Sequence, residues 1–124
     1  RFGVGSAYRP LAAERGLWDG HFNTYFKQQR DHLATLPGGV YGDAAVDELG
    51  SFIATWKAVP GFSNHTAGRA VDLFTTEGKR TYAARRSDNG GWKQTWLRQW
   101  LEAHAGSYGF RPYAPELWHW GHQS

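Results

Sequence analysis

Apolar residues recur at helical spacing at Leu17, Trp18, Phe22, Tyr25, Phe26, Leu33 and Leu36, which predicts one helix with a single buried face. Pro37, Gly38 and Gly39 end it. A second stripe of Val46, Leu49, Phe52, Ile53 and Trp56 predicts a helix from Asp43 or Ala44 to about Ala58, stopped by Pro60 and Gly61. Gly50 in its middle costs roughly 1 kcal/mol relative to alanine. A third helix is expected over Trp92 to His104, with Trp96, Trp100, Leu101 and His104 at compatible spacing and Gly106 as its stop.

Between these stretches the pattern changes. Residues 1–9 read as a short strand leading into a loop, and Pro10 opens the next turn of helix, where its missing N–H is harmless. Ala70-Val71-Asp72-Leu73-Phe74 has the composition of a buried strand. Residues 75–91 are polar and read as a long surface loop. Tyr108 to Trp120 reads as two short strands broken by Pro112 and Pro115. Helices and strands mix without regular alternation, so the predicted class is α+β. At 124 residues, with no repeat or low-complexity linker, the expectation is a single domain over 1–124.

Composition narrows the function. The chain carries seven Trp, seven Phe and six Tyr, more rings than a small core needs, so some are expected along a groove. Net charge is +3, yet no Lys/Arg run exceeds two residues, which argues against a nucleic-acid stripe. Without cysteine, disulfides and thiolate metal sites are excluded. No apolar run approaches the roughly 20 residues of a membrane span. The chain also lacks methionine, even at position 1, so it is expected to be excised or processed from a longer one.

Two clusters carry chemistry: SNHTAGRAVD at 63–72 and ELWHW at 116–120. Together they supply two imidazoles and two carboxylates, enough for three N/O ligands to a catalytic metal and one remaining base. Gly68 lets the loop after His65 turn, so that its imidazole meets Asp72 on the following strand. Glu116 and His119 are three apart and would face oppositely on a continuous strand, so Glu116 is expected on the turn after Pro115. The same alternation sends Trp118 and Trp120 away from the face of His119, one to the core and one to a groove wall, with Trp118 a candidate substrate contact. His21 and His32 read as surface or capping residues. His104 suits a helix C-terminus, and His122 is a rival ligand to His119.

The first cluster fits the S-x-H-x-x-G-x-A-x-D signature, and the second resembles the E-x-W-H motif, of the zinc D-alanyl-D-alanine carboxypeptidases and dipeptidases (VanY-like and VanX-like). Gly5-Ser6-Ala7-Tyr8-Arg9-Pro10 is similar to that family's S-G-Y-R-S segment. The likeness spans nearly the whole chain in order. Ala7 replaces the usual Gly, Pro10 a Ser, Glu14 a frequent Gln and Leu117 a frequent Pro; none removes a ligand or the base.

The resemblance implies a Hedgehog/DD-peptidase-like α+β fold, a small antiparallel sheet flooring a zinc site with flanking helices. It implies one Zn2+ per chain on His65, Asp72 and His119. Glu116 becomes the general base, Arg9 an anchor for the polarised carbonyl or substrate carboxylate, and Ser63 a neighbour of the substrate terminus. The expected function is hydrolysis of peptidoglycan stem peptides, foremost at the terminal D-Ala–D-Ala bond, by an extracytoplasmic, monomeric enzyme. An endopeptidase of endolysin or antibacterial-effector type, cutting L-Ala–D-Glu or a cross-link, is the alternative. A non-catalytic wall-binding domain is the alternative of another class, and it has no use for Glu116.

Overall fold

The computed structural model describes residues 1–123. In chain order its elements are β1 (Phe2–Ser6), α1 (Leu11–Gln28), α2 (Arg30–Leu33), α3 (Asp43–Ala54), β2 (Ala70–Glu77), β3 (Arg80–Tyr82), α4 (Asn89–Trp92), α5 (Trp96–His104), β4 (Phe110–Tyr113) and β5 (Glu116–His122). Short 3-10 turns lie at Gly39–Tyr41, Arg86–Asp88 and Ala105–Tyr108. The chain divides into two compact units, one of Arg1–Arg9 with the chain from Asn64 onward, the other of Pro10–Ser63.

The first unit holds the sheet. Its strands are antiparallel in the order β1-β2-β5-β4, with β3 paired to the far end of β2. β2 is the centre, and Asp72 lies opposite His119 on β5 and opposite Ser6 on β1. The register with β1 shifts by one between Val4 and Ser6, a bulge at Gly5. Trp92, Leu97, Leu117 and Trp118 form the buried core, with Leu73, Tyr82 and Leu101 against it.

The helix α5 is fixed at its start by two side chains. Thr95 accepts a hydrogen bond from the Arg98 N–H at 3.1 Å, as an N-cap does. The Glu77 carboxylate accepts from the N–H groups of Trp96 (2.9 Å) and Leu97 (3.2 Å), satisfying donors that no helix turn can reach. β2 and α5 are thereby tied through backbone groups as well as through the core.

The second unit packs α1, α2 and α3 around Leu33, Ala45, Leu49 and Ile53, with Trp18, Phe22, Tyr25 and Phe26 filling in. Tyr25 meets Phe52 and Trp56 edge to face. Gly42 opens α3 where a Cβ would sit 2.6 Å from the Pro37 carbonyl oxygen, so the turn admits only glycine.

Several boundaries differ from the sequence reading. The first helix starts at Leu11, because Ala12, Ala13, Glu14 and Arg15 are strong helix formers without apolar periodicity. It ends at Gln28, and a separate short helix carries Leu33. The expected loop at 75–91 contains the end of β2 and all of β3, whose polar residues gave no strand signal. The expected helix over 92–104 is two, because the Thr95 cap restarts it at Trp96. Pro112 sits inside β4, an edge strand, where its missing N–H breaks no ladder.

Candidate metal centre

The loop from Asn64 to Arg69 is closed on itself, with Gly68 N–H donating to the His65 carbonyl at 3.1 Å and Arg69 N–H to that of Asn64 at 2.8 Å. Gly68 adopts φ +68°, a conformation costly for other residues, and so turns the chain into β2. Arg9 N–H donates to the His65 carbonyl at 3.2 Å, joining the loop to the segment after β1. His65 Nδ1 lies 2.6 Å from the carbonyl oxygen of Ala7. A carbonyl only accepts, so Nδ1 carries a proton, and Nε2, which can take a second proton or ligate a metal, points away from that carbonyl.

It points at Asp72. His65 Nε2 is 3.2 Å from Asp72 Oδ2, and His119 Nδ1 is 3.0 Å from Asp72 Oδ1. The two imidazoles meet edge on, with centroids 5.0 Å apart. All three residues are buried, with 5%, 6% and 9% exposure for His65, Asp72 and His119. Burial alone raises a carboxyl's pKa, yet hydrogen bonds from His119 and His65 and their charge outweigh it and hold Asp72 well below the usual range. The bond to Asp72 raises His65; burial opposes it, the Ala7 contact adds to it, and the Arg9 charge opposes it.

The donor set fits a small N/O-seeking cation. One ligand atom from each residue lies within 4.8 Å of the others. Metal–ligand bonds of about 2.0–2.1 Å in a tetrahedron place neighbouring donors roughly 3.3 Å apart. His65 Nε2 at 3.2 Å from Asp72 Oδ2 and His119 Nδ1 at 3.0 Å from Asp72 Oδ1 are each close to that distance from one carboxylate oxygen. The Ala7 carbonyl is the outer partner that orients a ligating imidazole.

Of the other expected residues, Arg9 lies beside this triad. Arg9 donates to Ser6 Oγ at 3.2 Å, and its Nη2 is 4.0 Å from Asp72 Oδ2. Its side chain is 26% exposed, enough to reach a bound molecule. Glu116 is the first residue of β5, paired with Tyr113, rather than a turn residue; the turn is Ala114-Pro115. The β4–β5 register breaks by three residues between Pro112 and Tyr113, which removes the alternation argument that separated Glu116 from His119. Among the described residues no hydrogen bond holds the Glu116 carboxylate. Ser63 is the last residue of the helical unit, two before His65. Trp118 is 5% exposed among Trp92, Leu97 and Leu117, so it is a core residue and offers a substrate no surface. Trp120, at 2%, is buried as well, beneath the Arg98 guanidinium.

The remaining histidines stay out of the cluster. His122 packs edge on against Phe110 and His21 edge on against Trp56, His104 lies tilted against Trp100, and His32 pairs with Glu48.

Three features escaped the sequence reading. The Tyr113 ring meets His119 edge on at 5.4 Å. Asn89 donates to the Pro115 carbonyl at 3.0 Å and accepts from Leu117 N–H at 2.8 Å, so its amide spans Glu116. Arg98 donates to the Leu117 carbonyl at 2.8 Å. Neither side chain sits near the motif in sequence, and only the broken ladder at Leu117 signals that side chains must serve its backbone.

Known structures share this fold. The structure is similar to VanYB in complex with D-alanine-D-alanine, at 23% identity and TM-score 0.59, covering 99% of this chain and 60% of that one. It is also similar to a glutamate-to-alanine mutant of the D,D-pentapeptidase VanY from a VanB-type resistance cassette, in complex with Zn(II), at 24% identity and TM-score 0.56, covering 98% and 60%. DacB from Streptococcus pneumoniae matches at 21% identity and TM-score 0.50, covering 100% and 53%. This chain therefore spans about 60% of the length of the two VanY structures. No curated protein matches the sequence. The VanY D-alanyl-D-alanine carboxypeptidase family matches residues 1–123, and the chain, with its buried His-Asp-His cluster on an antiparallel sheet, belongs to that family.

Proposed function

We propose that this chain is a zinc-dependent carboxypeptidase that removes the terminal D-alanine of peptidoglycan stem peptides outside the cytoplasm. The observation that carries this reading is the convergence of His65, Asp72 and His119 in a chain matched by the family over its described length. His65, Asp72 and His119 would hold one Zn2+. Bound there, zinc supplies a Lewis acid and lowers the pKa of a coordinated water from 15.7 to about 7.

The chain's own residues do the rest. The Ala7 carbonyl keeps the His65 proton on Nδ1, so Nε2 is ready as a donor without tautomer exchange. Glu116, with no competing hydrogen bond among the described residues, takes a proton from the attacking water and delivers it to the leaving amine. A base in that role typically contributes 10²–10⁴-fold in rate. Arg9 is always protonated, and it places positive charge where the scissile carbonyl oxygen becomes negative. Ser63 contacts the substrate terminus in this scheme.

Incubation of zinc-loaded protein with a muropeptide pentapeptide, read by mass spectrometry, tests the proposal. Loss of a single D-alanine, abolished by chelator, is the expected result. Cleavage at L-Ala–D-Glu or at a cross-link, or no cleavage, would overturn it.

A further inference from the structure

The sheet face that bears the candidate ligands continues past them. His119 and Gly121 are two apart on β5 and share a face, so that face runs from the triad onto a position without a side chain. A Cβ at Gly121 would meet only the Arg69 carbonyl oxygen, at an ordinary 3.8 Å, which leaves the space above it open. Arg111 lies opposite Gly121 on β4; Ala70 lies opposite it on β2, and Arg69 is the next residue along. Arg69, Arg111 and Gly121 border a trough of about 590 Å³ that also reaches Tyr113 and His119.

Among the described residues no carboxylate compensates the charge in this trough. No Asp or Glu lines it. Among the described residues, the guanidiniums of Arg69 and Arg111 have no ion-pair or hydrogen-bond partner, whereas Arg80 and Arg85 are paired with Asp88 and Arg98 with Glu102. Two such groups beside a cleft concentrate positive potential, and a guanidinium matches a carboxylate through two parallel bonds. Two residues of strand span roughly 6.6–6.8 Å, so a carboxylate above Gly121 stands about one to two residue lengths of extended peptide from His119.

We propose that Arg69 and Arg111 form an anionic subsite that binds a carboxylate of the peptide whose bond lies at the triad. The inference rests on the proposed peptidase function. Two of a stem peptide's carboxylates flank the bond that the proposed activity cuts. One is a side-chain carboxylate at its third residue, present in diaminopimelate and absent in lysine; the other is the terminal carboxylate.

Pentapeptides with diaminopimelate or lysine at the third position, each as free acid and as C-terminal amide, separate the two. For the zinc-loaded wild type, kcat/KM falls about tenfold or more when the recognised carboxylate is missing, as expected for a lost charge-assisted bond. Arg69→Gln and Arg111→Gln bring that ratio towards one. Gly121→Val, which fills the trough floor and leaves both arginines, lowers kcat/KM for the preferred peptide. Collapse of the diaminopimelate/lysine ratio identifies the side chain as the occupant, and collapse of the acid/amide ratio identifies the terminus. If neither ratio moves in either arginine variant, the subsite is wrong. Calorimetric binding of the same peptides keeps the two readings apart: a protein that cleaves none of them fails as a peptidase, yet still supports the subsite if Arg111→Gln weakens binding of the preferred acid tenfold. Equal affinity in wild type and variant overturns it.

Discussion

Replacing Asn89 by alanine removes the clamp around Glu116. The Asn89 amide donates to the Pro115 carbonyl and accepts from the Leu117 N–H. Leu117 is buried, and the register break at the start of β5 leaves its N–H without a strand partner. Without Asn89 that donor is stranded, at a cost of about 1–3 kcal/mol. The Pro115 carbonyl is on an exposed turn and regains water, so it adds little. For a domain of this size 1 kcal/mol moves Tm by roughly 3–6 °C, which places the expected loss at about 3–18 °C. Asn89→Asp keeps an acceptor for Leu117 N–H and loses only the donor to Pro115, so its loss is well under half as large. Scanning calorimetry of the three proteins measures this. In the zinc-loaded enzyme Asn89→Ala also lowers kcat with zinc content unchanged, because the flanks of Glu116 are released; a displacement of about 1 Å can cost 10²-fold. Equal Tm for wild type and Asn89→Ala, or equal losses for the two variants, would refute the reasoning.

Glu77→Ala strips two N–H partners from the first turn of α5 and is expected to cost about 1 kcal/mol, read as a shift in urea midpoint. Those same bonds hold the Glu77 pKa below 4.5 against the opposing effect of burial. Its contribution is therefore intact above that pH and fades as pH falls through the lowered value, a fade absent in the variant. Trp92, with no exposed surface and its Nε1 donating to the Ala83 carbonyl, should lose about 3–5 kcal/mol on change to alanine, enough to show as loss of cooperative unfolding. In metal-free protein the His65–Asp72 contact raises the one pKa and lowers the other, a single interaction felt at both ends. Its stabilisation is complete above 3.8 and below 6.5; it fades as pH rises through the raised His65 value, and in acid only as pH falls through the lowered Asp72 value. Zinc competes with the His65 proton, so the metal-induced gain in Tm grows over the range where metal-free Tm falls. Parallel pH profiles with and without metal would contradict this.

The His-Asp-His cluster was legible in the sequence because candidate ligands are residue types at short spacing. His65 and Asp72 are seven apart around a glycine turn, and His119 follows Glu116 by three. The fold was legible where apolar periodicity was strong, as in α3 and the start of β2. It was obscure where long-range partners decide. β3 is polar and exists through its pairing with β2. α5 starts at Trp96 because Thr95 and the distant Glu77 cap it. The place of Trp118 depended on parity along β5, and the register break at Tyr113 changes that parity with no mark in the sequence.

Metal content after equilibration with zinc and removal of excess is the most direct test of the central claim. Wild type and Glu116→Ala should each retain one zinc per chain, while His65→Ala and His119→Ala should retain none. Full zinc occupancy in either histidine variant, or loss of zinc in Glu116→Ala, would contradict the assignment of ligands and base.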